Sequence, residues 1–382
     1  MDFASFTPEY LTRTERLKWQ VPPGGIGAWV AEMDFGVSPA IAETLERLVH
    51  AGSLAYPTPS MGAELQEATA SWCADRYGWT VPERDIHVVS DVIGSLLLTL
   101  RHTLPAGTPV VVPTPAYMPF LNVTTTFGYP AVLVPGIFAD DGAYSLDLDA
   151  ISDALGAGAR MVVLTNPHNP VGRVYGREEL LGLCEVVEAH GARVFSDEIH
   201  APLVLAENAR HVPYASISEA AAQHSITATA ASKGWNIPGL KSAQLIVTAD
   251  ADRAALSPVI NGYYGHSAST LGYVASTAAY RDSRQWIDEV VAYLRGNALL
   301  LGELLGEHLP GVRYAVPEGT YLAWLDMQRL GIEKPGDFFA ETAGVRCNDG
   351  ATCGSPGDLR FNFAMTRDTL REAIERMGAA LR

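Results

Sequence analysis

The chain has 382 residues, enough for two domains or for one large domain with an appendage. At 48% hydrophobic and 18% charged it has an ordinary globular balance, and its net charge of −16 argues against neutralising nucleic-acid phosphates. No apolar run is long enough to span a bilayer, Met1 to Tyr10 lacks the pattern of a signal peptide, and Cys73, Cys184, Cys347 and Cys353 make neither a C-x-x-C pair nor a cluster with histidine, so a soluble protein of a reducing cytoplasm is expected.

Met1 to Gly27, with Pro22-Pro23-Gly24-Gly25, shows little periodicity and reads as an extended arm. Ala28 to Phe35 reads as a short strand or a loop packed by aromatics. Ser38 and Pro39 open a helix to about His50. Tyr56-Pro57-Thr58-Pro59 is a turn, because two prolines forbid regular structure. Gly62 to Tyr77 is an amphipathic helix. From Ile86 short apolar runs alternate with longer helical ones: strands begin near Ile86, Pro109, Tyr129, Met161 and Arg193, and helices near Val92, Leu148 and Arg177. Such alternation predicts an α/β fold with a mostly parallel sheet covered on both faces. From about Asp282 the texture changes to a long helix, Ser283 to Glu307, followed by strands around Gly319–Leu325 and Leu359–Phe363 and a last helix from Arg367. The expected division is 1–48 as N-terminal arm and part of a small domain, 49–282 as a large domain, and 283–382 as the smaller α+β domain.

In a parallel sheet, ligands bind outside the carboxyl ends of the strands, and four motifs fall at such ends. Ser90-Asp91-Val92-Ile93-Gly94-Ser95 turns a strand into a helix. It is open between an anion site on the free N–H groups of the helix start and a plain cap by Asp91. Thr165 to Gly172 uses two prolines and a glycine to hold a rigid loop that presents Asn169. Phe195-Ser196-Asp197-Glu198-Ile199-His200 ends an apolar strand in acids. Asp197 there either needs a cationic or protonated partner or caps the next turn. Ala231-Ser232-Lys233 through Gly239-Leu240-Lys241 is either a solvated loop or the site of a lysine whose burial frees its amine for a Schiff base. Tyr117, among Pro113, Pro115 and Pro119, is either packing or a stacking partner for a flat ring. Together these motifs offer a lysine for an aldehyde, an acid for a pyridinium nitrogen, an amide for a phenolic oxygen, an aromatic for a ring face and a helix start for a phosphate. Pyridoxal phosphate needs this set.

On these motifs the chain resembles the fold-type I PLP enzymes of the aminotransferase class I/II superfamily over nearly its whole length. Within them it is most similar to the MalY/PatB-type C–S lyases, which are cystathionine β-lyase-like. The segments Trp29 to Phe35 and His211 to Ser216 carry the likeness to that branch; the lysine, Asp197 and Asn169 motifs are shared with true aminotransferases. The resemblance implies the PLP-dependent transferase fold type I. It implies that Lys233 carries pyridoxal 5'-phosphate, that Asp197 keeps the pyridine nitrogen protonated, that Asn169 bonds the ring hydroxyl and that Tyr117 stacks on the ring. Val92, Ile93, Ser232 and Lys241 are implied at the phosphate, and His200 among the cofactor-binding residues. Arg360 is implied to grip the substrate carboxylate. Tyr56 is implied to reach the neighbouring subunit's site, hence a homodimer with a substrate-binding role shared among Arg360, Asn169 and Tyr56.

The activity implied is β-elimination of a thiol from an S-substituted L-cysteine, with Lys233 as base. The alternative is an aminotransferase passing the amino group to a 2-oxo acid. A further rival is a non-catalytic regulator acting through a protein surface, since no DNA-binding head is present. Several residues depart from the resemblance: Asp91 stands where a small residue is expected beside the phosphate, Glu32 where the branch has aspartate, and Ala230 where many aminotransferases have a hydroxyl.

Overall fold

The structure, a computed structural model, describes residues 3–382. Its centre is a seven-stranded sheet of β1 (Ile86–Val89), β2 (Val110–Thr114), β3 (Ala131–Pro135), β4 (Met161–Thr165), β5 (Arg193–Asp197), β6 (Ser225–Thr229) and β7 (Ala243–Ile246). The order across the sheet is β1-β7-β6-β5-β4-β2-β3. Only β7 runs against its neighbours, pairing antiparallel with both β1 and β6. β2 and β4 are buried along their whole length, which is why their sequences are unbroken apolar runs rather than alternating ones. Helices Val92–Thr103, Leu148–Gly156 and Arg177–Ala189 form where the apolar spacing predicts them.

Three differences from the sequence reading have local causes. A helix spans Met118–Thr126 although prolines flank its start. Pro119 lies in its first turn, where a backbone N–H would have no intrahelical partner. Pro59 belongs to the helix Pro59–Tyr77 rather than to the turn before it, because Thr58 caps that helix by accepting from the Met61 N–H at 3.3 Å. The N-terminal stretch is more than an extended arm. It winds through short helical turns at Pro8–Arg13 and Leu17–Trp19, with Leu11, Lys18 and Trp19 buried. Met1 and Asp2, also read as part of that arm, lie outside the described residues.

A second sheet of three antiparallel strands, Leu322–Asp326, Asp358–Asn362 and Asn348–Asp349, packs with the helices Arg284–His308 and Arg367–Ala379. Ile26–Gly27 pairs in parallel with Val345–Arg346, so the N-terminal stretch is stitched to this second unit. One apolar core runs from Trp19, Met33 and Phe35 through Trp72, Trp235 and Tyr280 to Leu294, Phe361 and Phe363. Trp235 is fully buried, edge-on to Trp72 at 5.0 Å and to Tyr280 at 5.3 Å. That anchor lies two residues beyond Lys233 and holds its turn against the core.

Candidate active site

The parallel strands β1, β2, β4, β5 and β6 all end on one edge of the sheet, and each carries a motif residue just past its end. The register explains how β7 joins them: Ala243 lies opposite Val89 and Gln244 opposite Thr229. Two residues outward, Lys241 therefore comes beside Asp91. A cavity of about 390 Å³ opens there, lined by Asp91, Val92, Ile93, Tyr117, Asn169, Asp197, His200, Ser232, Lys233 and Lys241, together with Ala31, Ile199 and Pro238. This volume suits a small cofactor. Every motif residue singled out at the strand ends lines this one cavity.

Lys233 sits in a single helical turn, Ala231–Gly234, immediately after β6. Its Nζ donates to the Ala31 carbonyl at 2.7 Å, and the Tyr321 hydroxyl donates to the same carbonyl at 2.9 Å. Burial, reinforced by the Arg360 charge, pulls the Lys233 amine down to about 8, against the opposing pull of Glu32 and Asp197. A useful fraction of the amine is then neutral near physiological pH.

Asp197 ends β5 with only 4% of its surface exposed. One carboxylate oxygen accepts the Ile199 N–H at 3.1 Å, and among the described residues the group forms no ion pair. Burial pushes it up to about 7, and the neighbouring Glu198 adds to the rise. A buried acid of this kind is best satisfied by a protonated nitrogen that enters the cavity. His200 is buried edge-on to Tyr321, and its Nδ1 has no partner among the described residues. Burial, with the charges of Lys233 and Arg360, drives its basicity well below that of an ordinary histidine. It is a neutral ring. Tyr117 is half-buried and edge-on to Phe120 at 5.5 Å, which leaves its position among the cavity-lining groups fixed by packing.

At the helix Val92–Thr103, Asp91 is the cap that the sequence offered as one alternative. Its Oδ1 caps the helix by accepting the Gly94 N–H at 2.7 Å, and its Oδ2 pairs with Lys241 Nζ at 3.3 Å. The N–H groups of Val92 and Ile93 have no protein partner among the described residues. Val92 and Ile93 line the cavity together with Ser232 and Lys241. Glu32 accepts the Lys18 N–H at 2.9 Å, and its charge is felt by Lys233.

Arg360 is 2% exposed. It lies on the strand Asp358–Asn362 of the second sheet and reaches across to the first. Its guanidinium donates to Asn169 Oδ1 at 3.3 Å, to the Trp29 carbonyl at 2.8 Å and to Asn348 Oδ1 at 2.9 Å. No carboxylate pairs with it among the described residues, and its Nε is unbonded. Its charge is thus met only by neutral acceptors among the described residues. Tyr56 is not brought to this cavity. It stands 88% exposed on the surface of the same chain.

Sequence reasoning missed the strap that closes the lysine side of the cavity. Asn236 Nδ2 donates to the Met33 and Phe35 carbonyls at 2.9 and 2.7 Å, and its Oδ1 accepts the Met33 N–H at 2.9 Å. This clamp sets Ala31 against Lys233. Asn236 lies in a motif the sequence had already marked, and its positive φ of 59° is tolerable for asparagine. No periodicity signals a partner 203 residues away.

A mostly parallel sheet with a buried amine, a buried acid and a free helix start at its carboxyl edge, beside a buried arginine from a second unit, matches the PLP-dependent transferase fold type I. The chain belongs to the aminotransferase class I and II family, whose model matches residues 30–377. It is 34% identical to the cystathionine β-lyase of Corynebacterium glutamicum, with 98% of each chain covered. It is 32% identical to the cystathionine β-lyase PatB of Bacillus subtilis, over 96% of this chain and 97% of the relative. The crystal structure of cystalysin from Treponema denticola, which contains a pyridoxal 5'-phosphate cofactor, superposes with a TM-score of 0.90 at 26% identity, covering 96% of both chains.

Proposed function

We propose that this protein is a PLP-dependent carbon–sulfur β-lyase that removes a thiol from an S-substituted L-cysteine and yields pyruvate and ammonia. The carrying observation is the convergence of Lys233, Asp197 and the Val92–Ile93 helix start on one cavity, beside an arginine that pairs with no carboxylate among the described residues. The similarity to cystathionine β-lyases over nearly the full length supports the reaction type.

The residues fit the cofactor. The unpaired Asp197 matches a protonated pyridine nitrogen, the amine of Lys233 matches an aldehyde carbon, and the N–H groups of Val92 and Ile93, with Ser232 and Lys241, match a phosphate. Asn169 uses its Oδ1 on Arg360, which leaves Nδ2 to donate to the ring hydroxyl oxygen. Tyr117 covers a ring face, and the neutral His200 lines the same cavity. When bound, PLP supplies an electron sink that stabilises negative charge at the substrate Cα.

Arg360 and Asn169 hold the substrate carboxylate. Lys233 Nζ, once free and neutral, takes the Cα proton. The Ala31 carbonyl, 2.7 Å from Nζ, holds the amine in place. The Cβ–S bond then breaks, and its electron pair leaves on sulfur, which is released as a thiol after protonation. Water hydrolyses the remaining enamine to pyruvate and ammonia.

The same reading makes the protein a cytoplasmic homodimer in which the exposed Tyr56 enters the partner's site. Among the described residues, no helix is long and apolar enough to cross a membrane. The test is pyruvate and thiol release from L-cystathionine with no 2-oxo acid added, in the wild type and in Lys233→Ala. The proposal expects release by the wild type and none by the variant. Turnover that requires a 2-oxo acid would assign an aminotransferase instead.

A further inference from the structure

His168 stands between the two loops that present Tyr117 and Asn169. It is 2% exposed. Its Nε2 lies 2.9 Å from the Pro115 carbonyl, on the loop that leads from β2 into Tyr117. Its Nδ1 lies 2.6 Å from the Tyr175 hydroxyl. Its own backbone belongs to the Asn169 loop: its N–H donates to the Arg173 carbonyl at 2.8 Å, and its carbonyl accepts the Gly172 N–H at 2.7 Å. The loop is tied further by Asn166 Oδ1, which accepts the Tyr175 N–H at 3.1 Å. Tyr144 closes the other side, edge-on to His168 at 5.0 Å, with its hydroxyl 3.2 Å from the Thr114 carbonyl.

The tautomer follows from the partners. A carbonyl only accepts, so Nε2 carries the hydrogen and donates to Pro115, and Nδ1 accepts from the Tyr175 hydroxyl. Burial lowers the ring to about 4, against the opposing pull of the Pro115 carbonyl. The imidazole therefore keeps this one arrangement throughout the neutral range.

We propose that His168 is a positioning residue, whose single Nε2–H bond to Pro115 sets the spacing between Tyr117 and Asn169 and so the geometry with which this chain grips its cofactor ring. The inference rests on the reading above that both residues face that ring. The imidazole touches neither ring nor substrate; it acts through the two loops. A loop junction off by even a fraction of an ångström would separate the aromatic face from the amide, because each is fixed to its own strand end.

Two near-isosteric substitutions separate the bonds. His168→Gln places an amide N–H close to the position of Nε2 and keeps the bond to Pro115. His168→Asn places an oxygen near Nδ1, keeps the bond to Tyr175 and breaks the one between the loops. The measurements are the PLP dissociation constant and the visible circular dichroism of the bound cofactor, on the full-length dimer or monomer as purified. The Asn variant should bind PLP on the order of tenfold more weakly, with an altered dichroic band, as expected for the loss of one buried hydrogen bond. The Gln variant should stay within about threefold of wild type and keep its spectrum. An Asn variant with wild-type affinity and spectrum overturns the proposal, as does a Gln variant as impaired as the Asn variant. If the Asn variant does not fold, Tyr175→Phe decides: retained affinity supports the assignment to Nε2, and a tenfold loss overturns it. A wild type that binds no PLP would instead sink the functional reading on which the proposal rests.

Discussion

Arg360 donates to Asn169 Oδ1 at 3.3 Å across 191 residues of chain, so a side chain from the second sheet fixes which way an amide on the first one points. The oxygen is committed to the guanidinium, and the amide N–H groups face the cavity. Asn169→Asp should then fail twice. It removes the donor, and it gives Arg360 an internal anion in place of the substrate carboxylate. KM for the amino-acid substrate should rise by about a hundredfold, on the order of 3 kcal/mol, while Arg360→Lys, which loses the planar fork, should also raise KM. Steady-state kinetics on both variants is the check, and an Asn169→Asp enzyme with unchanged KM would contradict the arrangement.

Asp91 holds Lys241, so on the proposed reading it competes with the cofactor phosphate for that lysine. The pair is 3.3 Å apart, with side chains 39% and 61% exposed. Asp91→Asn keeps an oxygen to cap Gly94 but releases Lys241. An exposed pair contributes roughly 0–1 kcal/mol, so PLP affinity should improve by up to about fivefold. The gain should shrink between 50 mM and 300 mM salt, on the order of the screening that surface charges undergo. Absorbance titrations at the two salt concentrations measure it.

The buried Asp197 should make cofactor-free protein less stable at neutral than at mildly acidic pH. Its carboxyl titrates at about 7 in the fold against 3.8 when unfolded. A value raised by folding means that the group's stabilising contribution is complete below the unfolded value and is lost as pH climbs through the folded one. Cofactor-free wild type should therefore lose stability between roughly pH 4 and 7, at about 1.4 kcal/mol per pH unit at most. Asp197→Asn should remove that slope and be the more stable cofactor-free protein at pH 8, by a few kcal/mol, while losing most activity. Urea unfolding of both at pH 5 and pH 8 gives the comparison; parallel losses in the two proteins would refute it.

Asn236 makes three hydrogen bonds to the strap Met33–Phe35. At about 1 kcal/mol each, Asn236→Ala should cost about 2–4 kcal/mol of stability, including a small backbone penalty at positive φ. Because the strap carries Ala31, the variant should also lower kcat. Asn236→Gly, which tolerates the backbone, separates the two contributions. Equal unfolding midpoints for wild type and Asn236→Ala would show the clamp to be idle.

The central strands Val110–Thr114 and Met161–Thr165 were legible because they are buried along their whole length and so are nearly continuously apolar. The polar residues that interrupt those runs at their ends, Asp197 and Asn169 above all, stood out for the same reason. Helix Met118–Thr126 was not legible, since prolines that end a strand also suit a first helical turn. The N-terminal turns were missed because they are stabilised by burial of Leu11 and Trp19 against distant residues and not by their own periodicity.

Local chemistry, then, was decided along the chain: which residues can be strands, where each strand stops, and which side chains stand at those stops. A lysine, an acid and an amide in that setting already specify a class of cofactor. What only the tertiary structure decided is how the charges are met. Lys241 neutralises Asp91 because the antiparallel strand Ala243–Ile246 brings them opposite each other. Lys233 rests on Ala31 because Asn236 ties down a strap about 200 residues away. Arg360 meets only neutral acceptors among the described residues, Asn169, Asn348 and the Trp29 carbonyl, because the second sheet carries it to the loops of the first. Pairings of that kind follow from register and packing between distant segments, and no local pattern encodes them.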